Sequence, residues 1–523
     1  MRKLTVQGKA YPGVRVIPGE SGPEQYAAKE LLQYLGKAGI PEGDGLTFRL
    51  SLDSTVGRDG YRIDLCPDDR ISIRGGNGRG VIYGVYGFLE RYAGMRFFMP
   101  GLESMGEGDI AVDEGFSFTP VFEYRQGDWQ CGNGDVDWCV KNGINRRPIP
   151  PEMGGNMEYG LSVHTMTALV GTPPHEQPCL SDPEVLKKAI AGVRKILKER
   201  PDVSIISVSQ NDNFRYCTCE KCAAVDAEEG SHAGTLLRFV NAVAADIAED
   251  YPNVIIDTLA YQYTRQVPSI TKPLPNVCIR LCSIECCFSH PLADRTCPKN
   301  SKFHDDLLAW NKICDRIYIW DYVTNFHHYV PTFPNFHVLR DNMRFFADHG
   351  VKGMYPEGQF NTKNTGEFGE LRCYLLAKLM MNPYISAVEY YRHMDEFLAA
   401  YYGEGWRYIR AYIDFACAEA AGVHMEIYHR PFVFLPPDRY LAMEETIEAW
   451  WNKAEEMAGD RLEYVQRSRL QWRYIRLMLH PDAEEAAKLV RDVERQEIRW
   501  WEGRQWTDES SDFSLPPYQW KYR

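Results

Sequence analysis

Several familiar signatures are missing from this chain, and each absence excludes something. Positive charge is in the minority: 59 basic against 72 acidic residues give a net charge of −13, which disfavours a dedicated nucleic-acid binder. No run approaches the ~20 apolar residues that a membrane helix needs. The N-terminal "MRKLTVQGKAYPGVRVIPG" lacks a continuous apolar segment of the signal-peptide kind, so the expected location is cytoplasmic. No internal repeat or low-complexity tract occurs. P-loop, H-E-x-x-H and Ser-His-Asp signatures are absent too, which lowers the hydrolase classes that use them. The glycines of "GRGVIYGVYGFLERYAGMRFF" depart from G-x-G-x-x-G, and a tight turn feeding a closely packed helix explains them better than a dinucleotide site.

Cysteine and aromatic residues, by contrast, are plentiful. Fifteen cysteines without a secretion signal fit free thiols in a reducing compartment. Aromatics make up 13% of the chain. Their rings fill cores, but they also stack on the apolar faces of sugars.

At 523 residues the chain exceeds one ordinary core, and its pattern divides it in three. Residues 1–118 read as a small α+β domain, with a helix over 27–39 and two strands around the turn of "GYRIDLCPDDRISIRGG". Residues 119–385 alternate strands with helices. The apolar runs at 122–129, 203–212, 253–264, 276–286, 316–326 and 350–360 each end in polar and aromatic residues. Functional residues repeated at strand ends favour an irregular (β/α)8 TIM-type barrel over a doubly wound sheet. The Pro-rich connection 265–275 shows no helix. Residues 386–523 read as mostly helical, ending in a loosely held tail, "TDESSDFSLPPYQWKYR".

In a barrel those strand ends converge on one mouth. They carry Arg125, Asn211 with Asp212, Tyr261 with Tyr263, Glu285, Asp321 with Tyr322, and Glu357. Paired carboxylates there could do general acid/base work, because their surroundings can keep one protonated and the other ionised. His164 reads equally as a substrate-binding imidazole or a core histidine. Cys217, Cys219 and Cys222 offer three thiolates, one short of a structural zinc site; His232, Cys131 and Cys139 are candidates for the fourth ligand. Structural zinc and free cysteines packing the loop stay open alternatives, and a thioredoxin-like redox role is remote.

The segments "SVSQNDNFRYCTCEKCAAVDAEEG", "NVIIDTLAYQYTRQVP", "LCSIECC", "IYIWDYVTNF" and "YLLAKLMMNP", in this order, resemble glycoside hydrolase family 163. "GRGVIYGVYGFLE" is similar to the α/β domain that precedes family 20 hexosaminidase and α-glucuronidase barrels. The resemblance implies a glycosidase acting on β-linked N-acetylglucosamine-containing oligosaccharides, endo-acting and retaining through the substrate's own acetamide, and needing no cofactor for catalysis. It implies Asn211 as the group that orients the acetamide and Asp212 or Glu285 as the acid. Arg125 is implied as a grip on sugar hydroxyls, and Tyr261, Tyr263, Trp320 and Tyr322 as walls of the sugar site. Where this family's last strand tends to end aromatic-Glu-Gln-Gly, the chain reads Tyr355-Pro356-Glu357-Gly358. On a strand, that one-residue displacement decides which face Glu357 takes. Two alternatives accompany this reading: an exo-acting hexosidase or glucuronidase using Asp212 and Glu285 as two carboxylates, and a carbohydrate-binding barrel without catalysis. The expected partner is an oligosaccharide, not nucleic acid or membrane, and self-association into a homo-oligomer stays open.

Overall fold

The computed structural model describes residues 2–146 and 148–503, so the stretch 507–523 read above as a tail lies outside them. The chain folds as two compact units built from interleaved segments. The first comprises Met1–Asn156, Thr324–Arg340 and Gly358–Arg523; the second comprises Met157–Val323 and Asp341–Glu357. These units run across the pattern boundaries at 118 and 385.

In the first unit a five-stranded sheet orders Phe116–Phe118, Tyr61–Cys66, Arg70–Gly75, Leu46–Leu52 and Val14–Ile17. Helix Gly22–Lys37 starts at a capping box between Ser21 and Glu24 and buries Leu31 and Leu35. Helix Gly78–Tyr92 lies so close to the sheet that a Cβ at Gly80 would stand 2.2 Å from the Gly60 carbonyl oxygen. Its glycines therefore serve close packing. The C-terminal segment is helical, from Gly369–Met381 to Ala483–Arg495.

The second unit holds five parallel strands that pair in chain order: Ile205–Ser207, Ile255–Ala260, Val277–Cys282, Ile317–Tyr322 and Gly353–Glu357. Among the described residues the sheet is six-stranded, a half-barrel in place of the expected eight-stranded closure. Between 144 and 165 prolines and glycines cluster, and the segment contributes only an isolated bridge, Tyr159 to Ile205. The run at 122–129 reduces to Tyr124–Arg125, in the first unit. Helices Glu220–Glu229 and His232–Asp250 separate the first two strands, and Pro298–Asn311 separates the third from the fourth.

Between the second and third strands only a short 3-10 turn, Gln262–Thr264, interrupts coil. Glu229, fully buried, takes over the role of a helix there. Its carboxylate accepts the backbone N–H groups of Ile270 (2.9 Å) and Thr271 (3.0 Å), the Thr271 hydroxyl and the Arg238 guanidinium (2.6 Å). Among the described residues, no helix is long and apolar enough to cross a membrane.

Candidate active site at the strand ends

Alternation along the five strands sorts their side chains into two sets. Ile206, Ile256, Ile279, Leu281, Ile319 and Met354 make one face aliphatic. The other carries Asp257, Arg280, Cys282, Tyr318, Trp320, Tyr322, Tyr355 and Glu357, aligned by the strand register. At its base, Asp257 is fully buried against the Arg280 guanidinium (2.8 Å) and the Tyr159 hydroxyl (2.9 Å). Arg280 in turn lies 5.7 Å from the Trp320 ring. Trp320 stacks on Tyr322 with ring centres 6.5 Å apart and meets Tyr355 edge-on at 4.6 Å.

Three carboxylates stand at the C-terminal ends, each held by a different donor. Glu357 accepts the Trp320 indole N–H at 2.8 Å, so Glu357 occupies the same face as Trp320 and Tyr322 despite its displacement. Glu285 pairs with the Arg265 guanidinium, which also bonds Asp306 at 2.8 Å. Asp212, exposed, accepts the Tyr261 hydroxyl at 3.1 Å, and Gln262 donates to that hydroxyl at 2.8 Å. Cys282 lies buried on the same face. Burial pushes its thiol up, and it feels Arg280, Glu285 and Glu357 while hydrogen-bonding with Tyr322.

His164 adjoins this cluster, its ring centre 6.2 Å from that of Tyr261. Nδ1 donates to the Gln210 carbonyl at 2.8 Å. His164 and Gln262 both adopt φ of +50°, left-handed backbone that ordinary side chains avoid and that concentrates at functional sites.

Other expected site residues are engaged elsewhere. Asn211 is 2% exposed, and its amide donates to the carbonyls of Pro173 (3.1 Å) and Glu176 (2.9 Å). Asp321 points to the opposite face from Trp320 and Tyr322 and accepts the Ser283 hydroxyl at 2.7 Å, with burial raising its carboxyl to about 6. Tyr263 packs on Tyr216 at 5.1 Å, under the cysteine loop. Arg125 belongs to the first unit and has no exposed surface. It donates to the Gly143 carbonyl (2.6 Å), the Phe122 carbonyl (2.5 Å) and Asp59 (2.8 Å), which leaves no free edge to grip a sugar. Arg265 and Gln262 were not singled out in the sequence. Arg265 carried the clearest signal, a charge two residues past Tyr263.

The three cysteines of the loop meet a fourth, and it is Cys179. The four sulfurs lie within 4.8 Å of one another. The other candidates have different partners: His232 bonds Asp226 at 2.6 Å, Cys139 bonds the Asn133 carbonyl, and Cys131 interacts with Cys373.

Residues 106–414 match the family described as Domain of unknown function (DUF4838). The chain belongs to this family. No curated protein matches it. Its fold is similar to that of a family GH115 4-O-methyl-α-glucuronidase with specificity for decorated arabinogalactans, at 10% identity, covering 94% of this chain and 76% of that one, with a TM-score of 0.56. It is also similar to a family 89 glycoside hydrolase from Clostridium perfringens in complex with 2-acetamido-1,2-dideoxynojirimycin, at 10% identity, covering 90% of this chain and 65% of that one, with a TM-score of 0.51. At these identities the likeness is one of fold.

Proposed function

We propose that this chain is a glycoside hydrolase of the family 163 kind, acting on β-linked N-acetylglucosamine-containing oligosaccharides with retention of configuration. The observation that carries the reading is the Glu357 carboxylate held at 2.8 Å by the Trp320 indole, on the strand face where Trp320 stacks on Tyr322. Carboxylates flanking an aromatic platform are what glycosidic cleavage requires: ring faces hold the sugar, one acid protonates the leaving oxygen, and charge opposes the developing oxocarbenium ion. The two solved structures above add support, one named as an α-glucuronidase and the other bound to an acetamido-sugar analogue.

Roles follow from the partners. Glu285, paired with Arg265, is assigned to charge stabilisation. Glu357, oriented by the Trp320 indole, is assigned the proton given to the leaving oxygen. In substrate-assisted cleavage the acetamide oxygen bonds to the anomeric carbon as the glycosidic bond breaks. Asp212 with Tyr261 is assigned to hold that acetamide, a role Asn211 cannot take while its amide serves two carbonyls.

One observation favours a second reading. Glu285 and Glu357, both beyond or at the C-terminal ends of strands of one sheet, also fit direct displacement, with Glu285 as nucleophile on a hexoside or glucuronide. Chromogenic β-N-acetylglucosaminides and β-glucuronides, turned over by wild type, Asp212→Asn, Glu285→Gln and Glu357→Gln, separate the two. Glu357→Gln is expected to lose roughly 10²–10⁴-fold, less with good leaving groups. Loss of the acetamido substrate alone in Asp212→Asn supports substrate assistance. If all three variants turn over like wild type, the reading is wrong.

A further inference from the structure

We infer that Cys179, Cys217, Cys219 and Cys222 form a structural zinc site that clamps the loop carrying Asp212. The separations decide between the chemistries open to four cysteines. Cys179 Sγ lies 3.7 Å from Cys219 Sγ and 3.8 Å from Cys222 Sγ. A disulfide needs about 2.05 Å. A tetrahedron of sulfurs about 2.3 Å from a central zinc has edges of about 3.8 Å. The two separations match tetrahedral edges, and all four sulfurs lie within 4.8 Å of one another.

The surroundings are built for thiolates. The backbone N–H of Ser181 donates to Cys179, that of Cys219 to Cys217, and that of Cys222 to Cys219. The Ser181 hydroxyl stands 3.1 Å from Cys222 Sγ. Cys219 caps helix Glu220–Glu229, so the helix N-terminus faces the cluster. Donors aimed at several sulfurs in mutual contact stabilise negative charge. Four thiolates at such separations repel one another strongly unless a dication sits among them, and a closed set of four sulfurs is the structural zinc arrangement.

The site joins parts distant in sequence. Cys179 comes 40 positions before Cys219. Between them, Asn211 bonds the carbonyls of Pro173 and Glu176, and Gln177 donates to the Asn211 carbonyl at 2.7 Å. Metal and amide thus fasten the same two loops, one of which leads directly into Asp212. The clamp does not depend on the glycosidase reading, and its principal readout is metal content, so the two can fail separately.

The test is elemental analysis of the full chain, purified under reducing, chelator-free conditions after growth with zinc. One zinc per chain is expected, released in step with mercurial titration of four thiols. Cys179→Ser should lose the metal and lower the thermal midpoint, while Cys179→His, which keeps a nitrogen ligand, should hold part of it. Cys66→Ser, in the first unit, should keep the full equivalent. If Cys179→Ser does not fold, replacing zinc with Co²⁺ in the unaltered chain should give the visible absorption of tetrahedral cobalt thiolate. Protein without stoichiometric metal overturns the assignment. So does iron in place of zinc, or disulfides among these cysteines by mass spectrometry.

Discussion

Trp320 donates its indole N–H to Glu357 across neighbouring strands, at 2.8 Å. Under the proposed function, the bond joins the ring that stacks on the sugar to the carboxylate that moves the proton. Trp320→Phe keeps the ring and removes the donor. About tenfold should be lost from kcat with KM nearly unchanged, matching one hydrogen bond of about 1.4 kcal/mol. Steady-state kinetics on the best chromogenic substrate checks this; a rise in KM alone would show that the indole only binds.

Arg125 is expected to matter for folding and not for sugar binding. It meets Asp59 together with Arg79, and the two guanidinium groups hold that buried carboxyl well below the usual range, against the opposing effect of burial. Arg125→Met leaves the burial and removes one partner, costing about 3–5 kcal/mol of stability. Urea unfolding should show the loss while KM of the folded enzyme stays put. A weakened KM at full stability would restore Arg125 to the sugar site.

Asp321 gives a stability signal that depends on pH. Burial raises its carboxyl to about 6, opposed by the Ser283 hydroxyl and the Tyr322 backbone N–H, whereas an unfolded aspartate titrates near ~3.9. The folded protein therefore keeps this proton longer than the unfolded chain does. Its stabilisation is complete below about pH 4 and lost as pH rises through about 6. Asp321→Asn never ionises, so relative to wild type it should gain on the order of 2 kcal/mol between about pH 4 and 7. Denaturant midpoints at the two ends measure this, and a difference independent of pH would contradict it.

Glu229 behaves in the opposite sense. Burial alone would raise its carboxyl, but the Thr271 hydroxyl, the N–H groups of Thr271 and Ile270, and Arg238 bring it to about 2. Its contribution is present above the unfolded value of ~4.3 and lost as pH falls towards about 2. Glu229→Gln should cost about 1–3 kcal/mol at neutral pH and progressively less in acid. Hydrogen exchange confined to residues 266–276 would locate the effect; uniform loosening of the whole unit would argue against a local anchor.

The strands were legible because each apolar run ends abruptly in polar residues, and the five that pair in the second unit all fall within predicted runs. The helix-free connection after Tyr263 was legible from its prolines. What stayed hidden depends on partners far away in sequence. Nothing near Arg125 announces Asp59, 66 positions earlier, and nothing in the C-x-C-x-x-C segment points back to Cys179. The side chains of 320–322 read as one aromatic-acidic group, yet strand alternation splits them, sending Asp321 away from Trp320 and Tyr322. Asn211 looked free at a strand end because the loop that claims its amide comes earlier in the chain.

The second unit is written in two instalments. Its first four strands are complete by Val323, but the strand bearing Glu357 arrives only after the chain has passed through Thr324–Arg340 of the first unit. A fragment cut at Val323 would keep Asp212, Tyr261, Glu285 and Trp320 yet lack the acid that Trp320 grips. During synthesis the same order applies: a ribosome releases this strand late, and until then Tyr322 lacks the strand it pairs with at Glu357.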